Sequence, residues 1–322
     1  MEEENMASHG WFSLNIIGTL INLVGVICNL ITFVTLKLNS KGFSPVSRMI
    51  LQNQAITDSF VCIMGVIFFT QKHLWMTSNH FFNTFLCHVW HSQAIFWSGV
   101  LLSVWNVVII TVDRFILINH PLKHRDIQPK NIYSVFVITC ILCILVLLPG
   151  YLGYFTKYDE KSSECLPELQ FSSAGFIIFM FWWFIIYYAI PGATFIVVYT
   201  KTISTLRQRQ RKIKETNPNS KIFDLADQQL TRTAGAVGVV FVIALSWDAW
   251  LCLVSTFIDT IDYQIYSPLQ NLGVFFTNLH SCLNPFIYAA LLPAFRKSMS
   301  KTLRLRRLCN DVETSNKIVY AT

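Results

Sequence analysis

Three carboxylates and one guanidinium stand where the chain is otherwise apolar. Asp58 is the one charge between Arg48 and Lys72, and Asp248 the one charge between Arg232 and Asp259. Asp113 and Arg114 adjoin in Thr111-Val112-Asp113-Arg114-Phe115, at the end of a long uncharged run. Charges in apolar surroundings are expensive and mark working positions by default. The chemistry on offer is ion pairing and binding. Asp113 and Arg114 make an acid–base pair. Asn29, Ser103 and Asn284 could share a hydrogen-bond network with Asp58. Asp248, beside Trp247 and Trp250, suits a cation by ion pairing and cation–π attraction. Asn284-Pro285-Phe286-Ile287-Tyr288 brings a proline that should kink a helix. Nothing predicts an enzyme: no nucleophile–base pair stands out, and His88-x-x-His91 without a third ligand makes no metal site.

The elements that must position these residues follow from composition. Of 322 residues, 53% are hydrophobic and 13% charged, with a mean hydropathy of +0.47. Soluble domains carry about 25% charged residues. No Asp, Glu, Lys or Arg occurs over 5–36, 131–156, 170–200 or 263–295. That excludes a soluble or disordered chain. A bilayer core needs about 20 apolar residues per helix, since backbone groups must bond within the segment. Seven segments qualify, at 12–36, 49–69, 88–112, 132–155, 170–200, 234–257 and 266–291. The expected fold class is an all-α membrane protein, a seven-transmembrane helix bundle. Residues 1–11 form an N-terminal segment, 12–291 the seven-span domain and 292–322 a tail.

Basic residues set the orientation. Loops after spans 1, 3 and 5, with the tail, hold 22 of the 25 Lys and Arg. The other face keeps Lys72, Lys157 and Lys161 and is acidic, with Asp159, Glu160, Glu164, Glu168, Asp259 and Asp262. The N-terminus is therefore expected outside and the C-terminus in the cytoplasm. Met1-Glu2-Glu3-Glu4 has no basic stretch, which argues against a cleaved signal peptide. The net charge of +7 suits anionic membrane lipids on the basic face and does not indicate nucleic acid. Of nine cysteines, Cys87 and Cys165 face the oxidising outside, and a disulfide between them is predicted. Cys309, among basic residues of the tail, is a candidate for palmitoylation or a plain free thiol.

These motifs, each on its own span, resemble a rhodopsin-like (class A) G-protein-coupled receptor, with a fainter likeness to divergent invertebrate peptide and orphan receptors in Cys87-His88-Val89-Trp90. Asn29 after Gly25 resembles the span 1 signature, and Leu51 to Asp58 the span 2 stretch. Asp113-Arg114-Phe115 with Pro121-Leu122 resembles the Asp-Arg-Tyr motif and its loop, Phe replacing Tyr. Pro191 and Tyr199 resemble the span 5 pair, and Phe295-Arg296-Lys297 the start of a short amphipathic eighth helix. The resemblance implies a plasma-membrane receptor whose outside ligand drives a heterotrimeric G protein. Arg114 would rest on Asp113 and on Asp227, then swing toward Tyr199 and Tyr288. Asp58, Ser103, Ser281 and Asn284 resemble the family's sodium pocket, although His280 replaces an expected Asn. No other cofactor is implied.

The departures shape the ligand. Aligning Phe241 places Leu245 and Trp247 where the family has a tryptophan and a proline. Cys87 stands two residues further from Arg114 than the family spacing, about 3 Å along a helix. Phe96 occupies the place of the amine receptors' aspartate, and Asn278 that of the opsins' lysine, so neither a small amine nor retinal is expected. His91, Gln93, Phe96, Trp97, Trp247, Asp248 and Asn278 form the expected ligand pocket. Trp182 and Trp183 read as lipid-facing belt residues. A short peptide, Arg-containing or amidated, is the leading reading of the ligand. A lipid or other small molecule, or a non-signalling decoy of the same fold, are the alternatives. A transporter would show internal repeats, and the halves show none.

Overall fold

The computed structural model describes residues 2–39, 43–70, 77–153, 155–168, 172–216, 225–258, 260–261, 263, 265 and 267–303. Helix α1 (Glu2–Leu38) begins ahead of the apolar run that opens at 12, in a stretch free of proline. Helix α2 (Pro45–Thr70) starts on a proline, whose missing N–H costs nothing in a first turn. The third span is composite. Helix α3 (His80–Leu86), capped by the Asn79 side chain accepting from the Phe82 N–H, runs into a π-helical turn at Cys87–His91. Gln93, at φ 61°, breaks the helix before α4 (Ala94–Asn119).

Helix α5 (Pro121–Asp126) forms the loop after span 3, and α6 (Pro129–Val146) with α7 (Leu148–Tyr151) makes span 4. A hairpin of β1 (Thr156–Asp159) and β2 (Glu164–Pro167) pairs Tyr158 with Cys165. Span 5 joins α8 (Ser173–Phe184) to α9 (Ile190–Thr216) through a second π turn, Ile185–Ala189. Pro191, with no N–H to give the turn before it, accounts for that bulge. Helix α10 (Leu225–Ser255) is span 6. Helix α11 (Pro268–Leu291) is capped by Ser267 and contains Pro285. Residues 293–303 form α12.

Among the described residues, six helical spans are long and apolar enough to cross a membrane. Helix α11 packs against α1, α2 and α10 and completes a seven-helix bundle. The spans run past several expected boundaries, because apolar patterning marks the membrane-buried stretch and helices continue beyond it.

Two apolar clusters fill the bundle. One, toward the hairpin, gathers Val61, Phe96, Leu101, Tyr187, Phe241 and Leu245. The other, toward α5, gathers Leu36, Ile50, Val107, Ala234, Tyr288 and Phe295. Phe295 fixes α12 under the bundle by meeting the Tyr288 ring edge-on at 6.2 Å. Arg296 Nη1 donates to the Ala289 and Ala290 carbonyls at 3.0 and 2.7 Å, satisfying orphan acceptors at the end of α11. Outward leucines, isoleucines and valines of α1 and α6 stay exposed, the pattern a lipid-facing surface requires.

Candidate functional site

At the α5 end, Asp113 and Arg114 are both 5% exposed. The Asp113 Oδ2 accepts from Arg114 Nη2, which also donates to the Ser47 hydroxyl. Asp113 Oδ1 bonds His124 Nε2 of α5 at 2.9 Å. Arg114 Nη1 and the Tyr288 hydroxyl are buried without a partner among the described residues. Both face one narrow crevice, lined also by Thr233, Ala234 and Val237 of α10. Tyr199 stacks on Phe195, centroids 5.4 Å apart, and its hydroxyl lies over Gly235 of α10. Asp227 falls on α10, but its side chain lies outside the described residues, as does Cys309.

One level deeper, Asp58 ties three helices together. Its Oδ1 accepts from Ser103 at 2.6 Å and its Oδ2 from Asn284 at 2.7 Å. Gln54 Nε2 lies 2.9 and 3.0 Å from the two oxygens, while Gln54 Oε1 accepts from Asn106 at 2.7 Å. Ser281 also hydrogen-bonds the carboxylate. Asn29 reaches the network through the Ser281 carbonyl, at 3.1 Å. Gln54 and Asn106 were not among the sequence candidates, yet a signal was present. Gln54 is four residues before Asp58 and Asn106 three after Ser103, the spacings that share a helix face.

At the hairpin end, Asp248 is 1% exposed. The Tyr263 hydroxyl donates to its Oδ1, and Tyr187 hydrogen-bonds the same carboxylate. Gly273 of α11 gives room: a Cβ there would strike both the Tyr263 hydroxyl and Asp248. Trp183 stacks on Tyr187 at 4.9 Å, and Trp97 meets both rings edge-on at 5.9 Å. Phe96 is buried against Phe68 and Trp97. Gln93 pairs with Gln270, and His91 sits half-buried on the π turn.

Three expectations are corrected. Trp247 is 40% exposed on the outside of α10, against Phe276, and does not line the pocket. A helix turns about 100° per residue, so facing Phe241, Leu245 and Asp248 inward turns Trp247 out. Trp183 points inward while its neighbour Trp182 alone faces the belt. Asn278 is buried on the other side of α11 from Asp248, with its amide beside Asn22 of α1 over Gly65 of α2.

Cys87 and Cys165 form a disulfide with Cα atoms 5.6 Å apart, fastening the hairpin to the π turn, and the Thr156 hydroxyl donates to the Cys87 carbonyl at 2.9 Å. The π turn and the break at Gln93 absorb the extra two residues between Cys87 and Arg114.

This arrangement of seven helices, a disulfide at the hairpin end, a central polar knot and an arginine at a crevice defines a membrane signalling receptor rather than an enzyme. Residues 28–288 match the family of 7 transmembrane receptors (rhodopsin family). The chain belongs to that family, the class A G-protein-coupled receptors, and is a multi-pass plasma-membrane protein. It is 26% identical to galanin receptor 2b of Danio rerio, over 89% of this chain and 74% of that receptor. Trace amine-associated receptor 1 of Mus musculus is 25% identical over 90% of this chain and 88% of its own. Rhodopsin of Alligator mississippiensis is 22% identical over 87% and 78%.

Proposed function

We propose that this receptor faces its N-terminus and hairpin outward and converts binding of a short cationic peptide into activation of a heterotrimeric G protein. The observation that carries the ligand reading is Asp248. A carboxylate 1% exposed, bonded to Tyr187, on whose ring Trp97 and Trp183 pack, has tyrosine hydroxyls but no Lys or Arg as partners among the described residues. A buried charge held only by neutral donors lacks the compensation that an arriving cation supplies. The likeness to galanin receptor 2b, over most of both chains, supports a peptide. Phe96 in outer span 3 leaves a small amine no carboxylate there, which argues against reading the ligand from the trace amine relative.

The coupling end supports the second half. Arg114 is held by Asp113 and Ser47 at the wall of a crevice whose far side is α10. A ligand can favour an open crevice only by binding better to the open state. Arg114, released, has on the same crevice the Tyr288 hydroxyl, which has no partner among the described residues, as a new acceptor.

The donor set around Asp58 argues for a hydrogen-bonded carboxylate rather than a sodium site. Each oxygen already faces side-chain donors from Gln54 and from Ser103 or Asn284. A hard cation needs oxygens with free lone pairs and five or more such ligands.

The test is second-messenger output from cells expressing wild type or Arg114→Ala at matched surface levels, challenged with a pool of short cationic amidated peptides. A response in wild type that vanishes in Arg114→Ala is expected. Silence from the wild type would overturn the peptide reading, and equal responses would overturn the role of Arg114.

A further inference from the structure

Beyond its apolar stretch α9 is basic, with Lys201, Arg207, Arg209, Arg211, Lys212 and Lys214, and no Asp or Glu occurs between Glu168 and Glu215. The part of this span long and apolar enough to cross a membrane ends at Arg209. A groove of about 420 Å³ runs along α9 over that boundary, lined by Tyr199, Ile203, Ser204, Arg207, Gln208 and Arg211. Tyr199, Ile203, Arg207 and Arg211 follow at four-residue intervals, so they share one side of the helix. Arg209 lies about 200° round the helix from both neighbouring arginines. At 1.5 Å per residue, Tyr199 to Arg211 is about 18 Å along the axis.

The two ends of the groove differ in chemistry. At one end are the Tyr199 ring, stacked on Phe195, and the Ile203 side chain, both half-buried. At the other, the Arg207 and Arg211 guanidiniums are exposed, with the Ser204 hydroxyl and the Gln208 amide beside them as further donors. Among the described residues neither guanidinium has an ion-pair or hydrogen-bond partner.

A groove apolar at one end and dicationic at the other matches an amphiphile whose chains stay in the membrane. A soluble anion would engage the guanidiniums and leave the apolar end unused. Two cations with no acid near them in the chain are balanced by a dianion. A phosphomonoester is close to one at neutral pH, and its free oxygens accept from guanidinium, hydroxyl and amide together. Tyr199 also faces Gly235 of α10, so an occupant of this groove touches the contact between α9 and α10.

We propose that the groove binds the headgroup of a phospholipid ending in a phosphomonoester, with Arg207 and Arg211 on the phosphate, Ser204 and Gln208 as further donors, and the acyl chains along Ile203 and Tyr199. With the hairpin outward, as proposed above, this lipid belongs to the cytoplasmic leaflet. Its binding to purified receptor does not depend on that orientation.

The experiment follows thermal unfolding of the purified full-length receptor in detergent against concentration of dioctanoyl phosphatidic acid, dioctanoyl phosphatidylcholine and glycerol 3-phosphate. The two lipids differ in the free phosphomonoester, and glycerol 3-phosphate keeps that group without the chains. Of the three, phosphatidic acid alone should raise Tm saturably. A basic residue at a membrane surface contributes about fivefold in affinity for an anionic lipid. Arg207→Gln and Arg211→Gln should therefore each weaken phosphatidic acid about fivefold. Arg209→Gln removes the same charge from the other side of the helix and should leave the affinity at the wild-type level. All three arginines are exposed, so the substitutions keep the fold. Equal weakening by the three would mean a diffuse basic surface and overturn the groove. Glycerol 3-phosphate binding as tightly as phosphatidic acid would make the ligand a soluble phosphate, and phosphatidylcholine binding as tightly would remove the phosphomonoester; either overturns the proposal. Unchanged lipid affinity in Arg207→Gln and Arg211→Gln would overturn it as well, and G-protein activation lost in those variants would assign the groove to the G protein instead. No response to any of the three probes would also overturn it.

Discussion

Tyr199 and Gly235 face each other across spans 5 and 6, the phenol occupying the place where a side chain at 235 would begin. Three residues on, Phe195 fills the same place at Gly238. Two glycines one turn apart therefore let α10 lie close on α9 at the level of the Arg114 crevice.

Widening that contact should open the crevice. Gly235→Val forces Tyr199 or α10 to move, since a Cβ there has no room. Ligand-free second-messenger output should rise several-fold at matched surface expression. Unchanged basal output would show that the α9–α10 spacing does not bear on the switch.

The Asp113 carboxylate divides its oxygens between Arg114 and His124, and that makes His124 part of the restraint on Arg114. His124→Phe keeps the ring volume and removes the hydrogen bond that orients Asp113. A hydrogen bond to a charged group is worth about 1.5 kcal/mol net, so basal signalling should rise by up to about tenfold, less than for Asp113→Asn. The check is ligand-free output of the two variants side by side. Equal output from His124→Phe and wild type would reduce the contact to packing.

The architecture was legible because bilayer burial leaves a strong one-dimensional signal: uncharged runs about 20 residues long, with Lys and Arg on one side. Disulfide partners were legible by elimination, as Cys87 and Cys165 alone fall on the loops that the basic-residue pattern predicts to lie outside. Angular facts were harder. Apolar spans carry no polar face to fix rotation, so Trp247 was placed inward when Asp248 beside it takes that position. Gln93 and Gln270 are 177 residues apart, and no local pattern announces an amide pair that depends on a broken helix. Tyr263, in the loop before α11, reaches Asp248 only once that loop is folded.

The Cys87–Cys165 disulfide holds the hairpin over one end of the bundle, with Thr156 bonded to the Cys87 carbonyl beside it. Cys165→Ser should cost about 2–4 kcal/mol of stability, by the loss of a cross-link closing a long loop. The measurement is surface expression together with Tm of the purified receptor. An unchanged Tm would mean that the hairpin is held by its other contacts.

Gln54 joins Asp58 of α2 to Ser103 and Asn106 of α4, and its removal strands partners on both helices. In Gln54→Leu the Asn106 amide loses its acceptor at Gln54 Oε1, and both Asp58 oxygens lose a donor while buried. Stranding groups of this kind costs about 2–3 kcal/mol, so Tm should fall by several degrees. The same substitution bears on sodium. With the native donors in place, titrating sodium should leave agonist affinity unchanged in both wild type and Asp58→Asn, because the carboxylate lone pairs are already engaged. Gln54→Leu frees them, and a sodium dependence confined to that variant would show that the glutamine amide fills the role an ion would otherwise take. A dependence already present in wild type and abolished in Asp58→Asn would mean that sodium displaces the Gln54 amide, and the hydrogen-bonded reading of the knot would fall.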